Sequence, residues 1–316
     1  MTTSKVKKKE QPLNLESLTS GDLTWVNIER PTEREIEYLA DSYSFHPLDL
    51  DDCLSRIQRP KIDEYKEYLF LVFHFPVFDK ETRVTTASQV SVFISEKYLI
   101  TLHKGELKPL VKLFKECQID EESRQENFSQ GPGYLLYRII DRLVDYCLPI
   151  LNKIGDNIEA VEDDIFAHEM PRAIKQISML RRDVISFRRI IWPMRAVIGS
   201  LERKIRRFTK SDLEVYFGDT VDHVDKIWDG LDEYKEIIEG LNDTHDSLAT
   251  NRTNEVIRIL TIIASILLPL TLLASIYGMN IPLPFQESPY SLAIVIVIWI
   301  VVVSGMLYFF RRQHWI

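Results

Sequence analysis

The sequence predicts an α/β domain followed by a long-helix stalk and two C-terminal transmembrane helices, and three observations carry that prediction. Ile259–Ile276 and Leu292–Phe310 hold 18 and 19 residues without a charge. Each can cross a hydrocarbon core about 30 Å thick at about 1.5 Å per helical residue. Residues 13–130 carry short runs of β-branched and aromatic residues divided by turn formers, the pattern of strands. No strong helix breaker falls between Asp212 and Pro269. Composition narrows the class further. A hydrophobic share of 45% excludes a disordered chain, and a net charge of −8 argues against nucleic acid as a partner. Three cysteines (Cys53, Cys117, Cys147) without a CxxC pair exclude a disulfide scaffold and fit a reducing compartment.

Residues 1–12 (MTTSKVKKKEQP) read as a mobile basic tail rather than a secretory leader. Leu23–Ile28 reads as a strand, and Pro31-Thr32-Glu33 ahead of Ile36 and Leu39 as a helix start. Tyr68–Val77, Val84–Ser95 and Tyr98–Leu102 follow as strands and Leu107–Cys117 as a helix, giving a mostly antiparallel sheet. Ser129-Gln130-Gly131-Pro132-Gly133 closes this domain at residue 130. Residues 131–252 form a helical hairpin and stalk. Tyr134–Phe166 reads as one amphipathic helix ending in acids, and the helix from Pro171 is basic, with Arg181, Arg182, Arg188, Arg189 and Arg195. Opposite charge on neighbouring helices favours an antiparallel pair over a lipid or nucleic-acid surface.

The stalk enters the first span as one helix, about 100 Å over the 65 residues from Asp212 to Ile276. Gly218, Gly230 and Gly240 each weaken it by up to about 1 kcal/mol, which bundling with further copies would offset. The first span covers 253–279, the connecting loop 280–290, the second span 291–311 and the tail 312–316. Arg252 and Arg258 precede the first span, Arg311 and Arg312 follow the second, and the loop has no Lys or Arg. By the positive-inside rule both termini are cytoplasmic in a multi-pass cell-membrane protein, with lipid as a partner. A two-helix hairpin encloses no water path, so conduction requires an oligomer.

One stripe of the long helix changes chemistry at the membrane. Acids at Asp222, Asp225, Asp229, Asp232, Glu236, Glu239, Asp243 and Asp246 give way to Thr250, Thr253, Ile257, Leu260, Ala264, Leu267 and Thr271. Heptad drift adds Asn254, Thr261, Leu268 and Ser275 to that face. Acids that concentrate cations at a mouth narrowing to neutral residues make a cation path, with Asp243 a candidate metal contact. Pro269 also leaves the Ser265 carbonyl without its helical donor.

The first span ends in Tyr277-Gly278-Met279-Asn280, where Gly278 can turn the chain and Asn280 offers an amide oxygen. His46-Pro47-Leu48, Gln58-Arg59-Pro60-Lys61, Trp192-Pro193-Met194-Arg195 and Thr253-Asn254-Glu255-Val256 accompany it, with Trp315 beyond the last basic residues. Together these segments resemble the CorA-type magnesium/cobalt channel family, over nearly the whole chain from residue 23. The resemblance implies a homopentameric funnel, its first span lining the pore and its second span outside. It implies an Asn280 ring at the outer mouth, and pore-facing Asn254, Ile257, Leu260, Leu268 and Thr271, the apolar ones forming a gate. It also implies that Asp52 and Asp219 hold a regulatory magnesium between neighbouring subunits. The loop 281–290 reads IPLPFQESPY, with Glu287 its only acid.

Magnesium sheds its first-shell water reluctantly, so neutral amide and carbonyl oxygens can hold the hydrated ion through its waters. The two charge-free runs hold no carboxylate, His or Cys to bind a bare transition metal. The reading is therefore a divalent cation channel taking up magnesium, with cobalt and nickel. The alternatives are a zinc transporter of the same superfamily and a membrane-anchored scaffold. An enzyme is disfavoured, because no Gly-rich phosphate loop, GxSxG or HExxH occurs and the seven histidines are scattered.

Overall fold

The computed structural model describes residues 13–55, 58–79, 84–166, 170–209, 211–279 and 290–315. The basic tail at 1–12, Asn280 and the loop through Glu287 lie outside the described residues. The chain divides into two compact units, one ending at Asn242 and the other Asp243–Ile316.

The first unit is built on a six-stranded sheet ordered β1-β2-β6-β5-β4-β3. Its strands are β1 (Leu15–Ser20), β2 (Leu23–Glu29), β3 (Lys61–Glu64), β4 (Leu69–Asp79), β5 (Val84–Ile94) and β6 (Tyr98–His103). All neighbours are antiparallel except β2 and β6, which run parallel with Thr24 opposite Tyr98. Side chains alternate between faces along a strand, so both faces can bury apolar groups. Val26, Ile28, Phe70, Val72 and Phe93 form one core with Leu39 of α1 (Glu33–Ser42) and Leu50 of α2 (Pro47–Leu54). On the other face Trp25 meets Phe114 of α3 (Lys108–Ile119) edge-on at 4.9 Å, and Phe128 of α4 (Glu121–Phe128) at 6.4 Å. α1 starts at the Pro-Thr-Glu segment as expected, but Pro31 precedes the cap rather than sitting in the first turn, and Thr32 caps the helix in a capping box with Glu35.

Four helices follow: α5 (Pro132–Asp145), α6 (Cys147–Phe166), α7 (Met170–Ile205) and α8 (Glu214–Tyr277), with a single 3-10 turn at Arg206–Phe208. Gly131, at φ 91°, lies at the start of α5, in a left-handed conformation that glycine adopts without strain. The expected single helix over 134–166 is two, broken at Tyr146. Pro149 is the cause: it has no N–H to donate to the Asp145 carbonyl, and it sits in the first turn of α6, where that loss costs nothing. The unbroken helix expected from Asp212 is present as the 64 residues of α8, continuing through Pro269.

The second unit holds the remainder of α8 from Asp243 and α9 (Ser291–Arg312). On α8 the partly covered positions are Ile262, Ser265, Ile266, Pro269, Leu270, Leu273 and Tyr277; on α9 they are Ile294, Val295, Trp299, Val302, Val303, Met306 and Phe310. Each set recurs every three or four residues, the stripe of a helix with one packed side.

Candidate functional site

The apolar stretches of α8 and α9 are almost wholly uncovered within one chain, with 6% and 0% of their most apolar segments buried. A surface of this size and apolarity requires lipid or further copies around it. Every sequence-predicted lining residue that is described lies on it. Asn254, Ile257, Leu260, Thr261, Ala264, Leu268, Thr271, Ser275, Gly278 and Met279 are all exposed, Leu268 at 69%. At about 100° per residue, this face stands roughly opposite the partly covered stripe. Ser265, whose carbonyl Pro269 leaves without a donor, belongs to the covered stripe and not to the lining face.

Four threonine hydroxyls of that face have a fixed polarity. Thr250, Thr261 and Thr271 donate to the carbonyls four residues back, Asp246, Ile257 and Leu267, at 2.8 Å, and Thr253 to Ala249 at 3.0 Å. With the proton turned inward, each oxygen presents only lone pairs outward. A hydrated cation turns the hydrogens of its waters outward, so an acceptor-only row is its complement. Periodicity identified the threonines but carried no information on hydroxyl direction. At the helix end Gly278 N–H donates to Ala274 O at 2.9 Å and Met279 N–H to Ile276 O at 3.2 Å. Gly278 turns the chain at the end of α8 without a positive φ, and an added Cβ there would stand 3.2 Å from the Ala274 carbonyl.

The acidic stripe is less free than the sequence implied. Asp232 pairs with Arg188 of α7 at 2.5 Å and Asp225 pairs with Arg195. Trp192 and Trp228 pack between these pairs, 4.7 Å apart. The expected pairing of the basic helix with the acidic helix before it is corrected for these two arginines, whose partners lie on the following helix. Charge sign alone cannot choose between two acidic neighbours; the tilted contact of Trp192 with Trp228, at 45°, accompanies the pairing of these arginines with α8. Asp222, Asp229, Glu236, Glu239, Asp243 and Asp246 are exposed.

The two acids assigned to a regulatory ion have different surroundings. Asp52, on α2, has a side chain 16% exposed. Lys61 Nζ lies 2.6 Å from its Oδ2, and Gln58 Nε2 donates to its Oδ1 at 2.6 Å. Lys61 also reaches Asp63 at 2.5 Å and sits 5.2 Å above the Phe70 ring. Partial burial works against its charge, but the bonds from Asp52 and Asp63 outweigh that and hold the ammonium above its usual range. Asp219, on α8, is 64% exposed and has His223 Nε2 at 4.0 Å, while His223 Nδ1 lies 3.3 Å from Asp145. Burial, then the charges of Asp145 and Asp219, raise the Asp141 carboxyl above its usual range. The sequence reading named Asp219 but missed Asp141, Asp145 and His223; the i, i+4 spacings 141–145 and 219–223 on two helices were the available signal. No hydrogen bond or ion pair joins Asp52 to Asp219 within one chain among the described residues. Glu202, partly buried, and the exposed Asp212 and Glu214 also cluster within 4.8 Å, and the guanidinium of Arg206 binds Glu202 and Glu214.

A large α/β unit continuous with a long helix that ends in a bare apolar stretch, followed by a second bare apolar helix, defines a class: proteins with a membrane-spanning C-terminal end. The comparisons identify which one. Residues 20–312 match the model of the CorA-like Mg2+ transporter protein family, and the chain belongs to that family. It is 30% identical over 308 residues to the cobalt/magnesium transport protein CorA of Thermotoga maritima, covering 94% of this chain and 84% of that one. The complete structure of the CorA magnesium transporter from Methanocaldococcus jannaschii superposes with a TM-score of 0.84 at 25% identity, covering 95% and 94% of the two chains. The zinc transport protein ZntB of Yersinia pseudotuberculosis is 20% identical over 294 residues, 92% of this chain and 88% of that one.

Proposed function

We propose that this chain forms a homopentameric channel in the cell membrane, both termini cytoplasmic, that takes up hydrated magnesium and also passes cobalt and nickel. The observation that carries this reading is the exposed face of α8 opposite its covered stripe, where four threonine oxygens point only lone pairs outward. Repeated around an axis, these rows accept the outward hydrogens of a hydrated divalent ion without stripping its water. Ile257, Leu260 and Leu268 form the narrow apolar gate on the same face. Asn280 closes the outer mouth with a ring of amide oxygens, Gly278 and Met279 fixing the turn into it.

Cytoplasmic magnesium held between Asp52 of one subunit and Asp219 of the next closes the pore. What supports that reading is the setting of Asp219, which is 64% exposed, lies near the acids Asp141 and Asp145, and makes only a long contact to His223. Asp243 supports cation capture at the stalk. The bound ion supplies positive charge between carboxylates that otherwise repel; the chain supplies their placement.

Asn280→Ala tests the pore. Divalent uptake in a magnesium-uptake-deficient host should be lost at unchanged expression and assembly. Wild-type uptake would remove the selectivity role and favour a membrane-anchored scaffold. The likeness to ZntB favours a second reading, zinc transport by the same fold, and magnesium against zinc flux in reconstituted vesicles separates the two.

A further inference from the structure

Lys61 stands at Asp52, the acid read above as a ligand of the regulatory ion. Its ammonium is 2.6 Å from one Asp52 oxygen and Gln58 donates to the other at 2.6 Å, so both oxygens are engaged before any metal arrives. Two observations make Lys61 more than a surface lysine. Its head is held by a second carboxylate, Asp63, at 2.5 Å, and it lies over the Phe70 ring at 5.2 Å. Lys61 and Asp63 are alternate residues of β3 and share a face of that strand.

We infer that Lys61 is a resident counter-cation that a divalent ion must displace from Asp52, so that the lysine sets the concentration at which the site fills. The inference rests on the reading of Asp52 as a ligand of the regulatory ion, and concerns what opposes that ion. A divalent ion at Asp52 Oδ2 and an ammonium within hydrogen-bond distance of the same oxygen repel each other strongly at low local dielectric. Asp63 gives the ammonium a place to withdraw to, so displacement exchanges one ion pair for another and leaves no bare buried charge. The Lys61–Asp52 pair thus favours the metal-free arrangement, and filling shifts to higher magnesium.

The test is proteinase K digestion of the full-length protein in detergent across a magnesium titration at constant ionic strength. Lys61→Gln should lower the half-protecting magnesium concentration about tenfold, equivalent to about 1.4 kcal/mol. Lys61→Arg should stay near wild type. Lys66→Gln removes the same charge from the exposed β3–β4 turn and should shift nothing. An unchanged or raised threshold in Lys61→Gln, or an equal shift in Lys66→Gln, overturns the inference. Asp52→Asn separates it from the reading beneath it. Loss of magnesium-dependent protection in Asp52→Asn, with no shift in Lys61→Gln, rejects the lysine's role alone; protection at the wild-type concentration in Asp52→Asn rejects the sensor itself. If melting by circular dichroism shows Lys61→Gln misfolded, Asp63→Asn decides. It leaves the ammonium to Asp52 alone and should raise the threshold, and a threshold unchanged or lowered overturns the inference.

Discussion

At the scale of single residues, the buried polar network of the sheet makes a pH prediction. Trp25 Nε1 donates to Thr101 Oγ1 at 3.1 Å, and Thr101 donates on to Asn27 Oδ1 at 2.7 Å. His103 closes the network, with Nε2 3.0 Å from Asn27 Oδ1 and Nδ1 accepting from Gly105 N–H at 3.0 Å. Those partners require a neutral imidazole, and burial pushes the His103 pKa down to about 4 from 6.5. The unfolded chain therefore takes up a proton near pH 6.5 that the folded chain refuses until about pH 4. Stability is full above pH 6.5 and falls as pH drops through that window, by up to about 2 kcal/mol between pH 7.5 and pH 5. His74, also lowered by burial, acts in the same direction. Chemical denaturation at the two pH values should show a smaller loss for His103→Gln than for wild type. The sequence placed His103 only among seven scattered histidines, each read as structural or surface rather than a ligand. Its network was not legible, because Trp25, Asn27 and Thr101 meet only once β2 and β6 pair.

At the scale of elements, long periodic features were legible and short edge features were not. The 64-residue α8 followed from the lack of breakers. β1 (LESLTS) and β3 (KIDE) escaped because they are the sheet's edges. Edge strands carry charges that blunt further pairing, so they read as loop. The break between α5 and α6 was marked by Pro149, but an amphipathic pattern running across it hid the stop. The glycines of α8 also divide once packing is visible. A Cβ on Gly230 would stand 3.0 Å from Leu151 of α6, whereas Gly240 has open space within 4 Å. At Gly230 a close approach within one chain gives the glycine a packing role in addition to the bundling expected from sequence. Gly240→Ala should raise unfolding stability by up to about 1 kcal/mol, and Gly230→Val should lower it by about 1–3 kcal/mol. Guanidinium unfolding midpoints check both signs.

At the scale of the whole molecule, the two long apolar helices were legible from charge-free length alone, and the described residues expected to line a pore are exposed on α8, as most of that helix is in a single chain. What sequence could not supply is the number of copies around that face, since one chain presents it without closing it. Leu260 is 60% exposed there. If several copies bring it to one axis as a ring that resists wetting, Leu260→Asn should hydrate the ring and raise leak current at high magnesium. Bilayer recording checks this, and an unaltered leak places the constriction elsewhere. The proposed sensor gives a companion expectation. Asp219→Lys supplies Asp52 with a permanent positive partner across the subunit boundary, so chelator should not open the variant to protease as it opens wild type.

The parallel pairing of β2 with β6 also has a kinetic consequence. Thr24 faces Tyr98 and Glu29 faces His103, so the middle of the sheet joins residues 74 positions apart. The β4–β5 hairpin can zip locally, but β2 must wait for residue 103, and such long closures are slow. During synthesis at about 5–20 residues per second, the first charge-free run, starting at Ile259, follows that moment by roughly 8–30 seconds. The sheet therefore has time to close before the ribosome delivers the first span to a membrane. Mutations that delay closure, such as a weakened Trp25–Phe114 contact, should appear as aggregation of nascent chains before insertion, with the transport properties of the molecules that do insert unchanged.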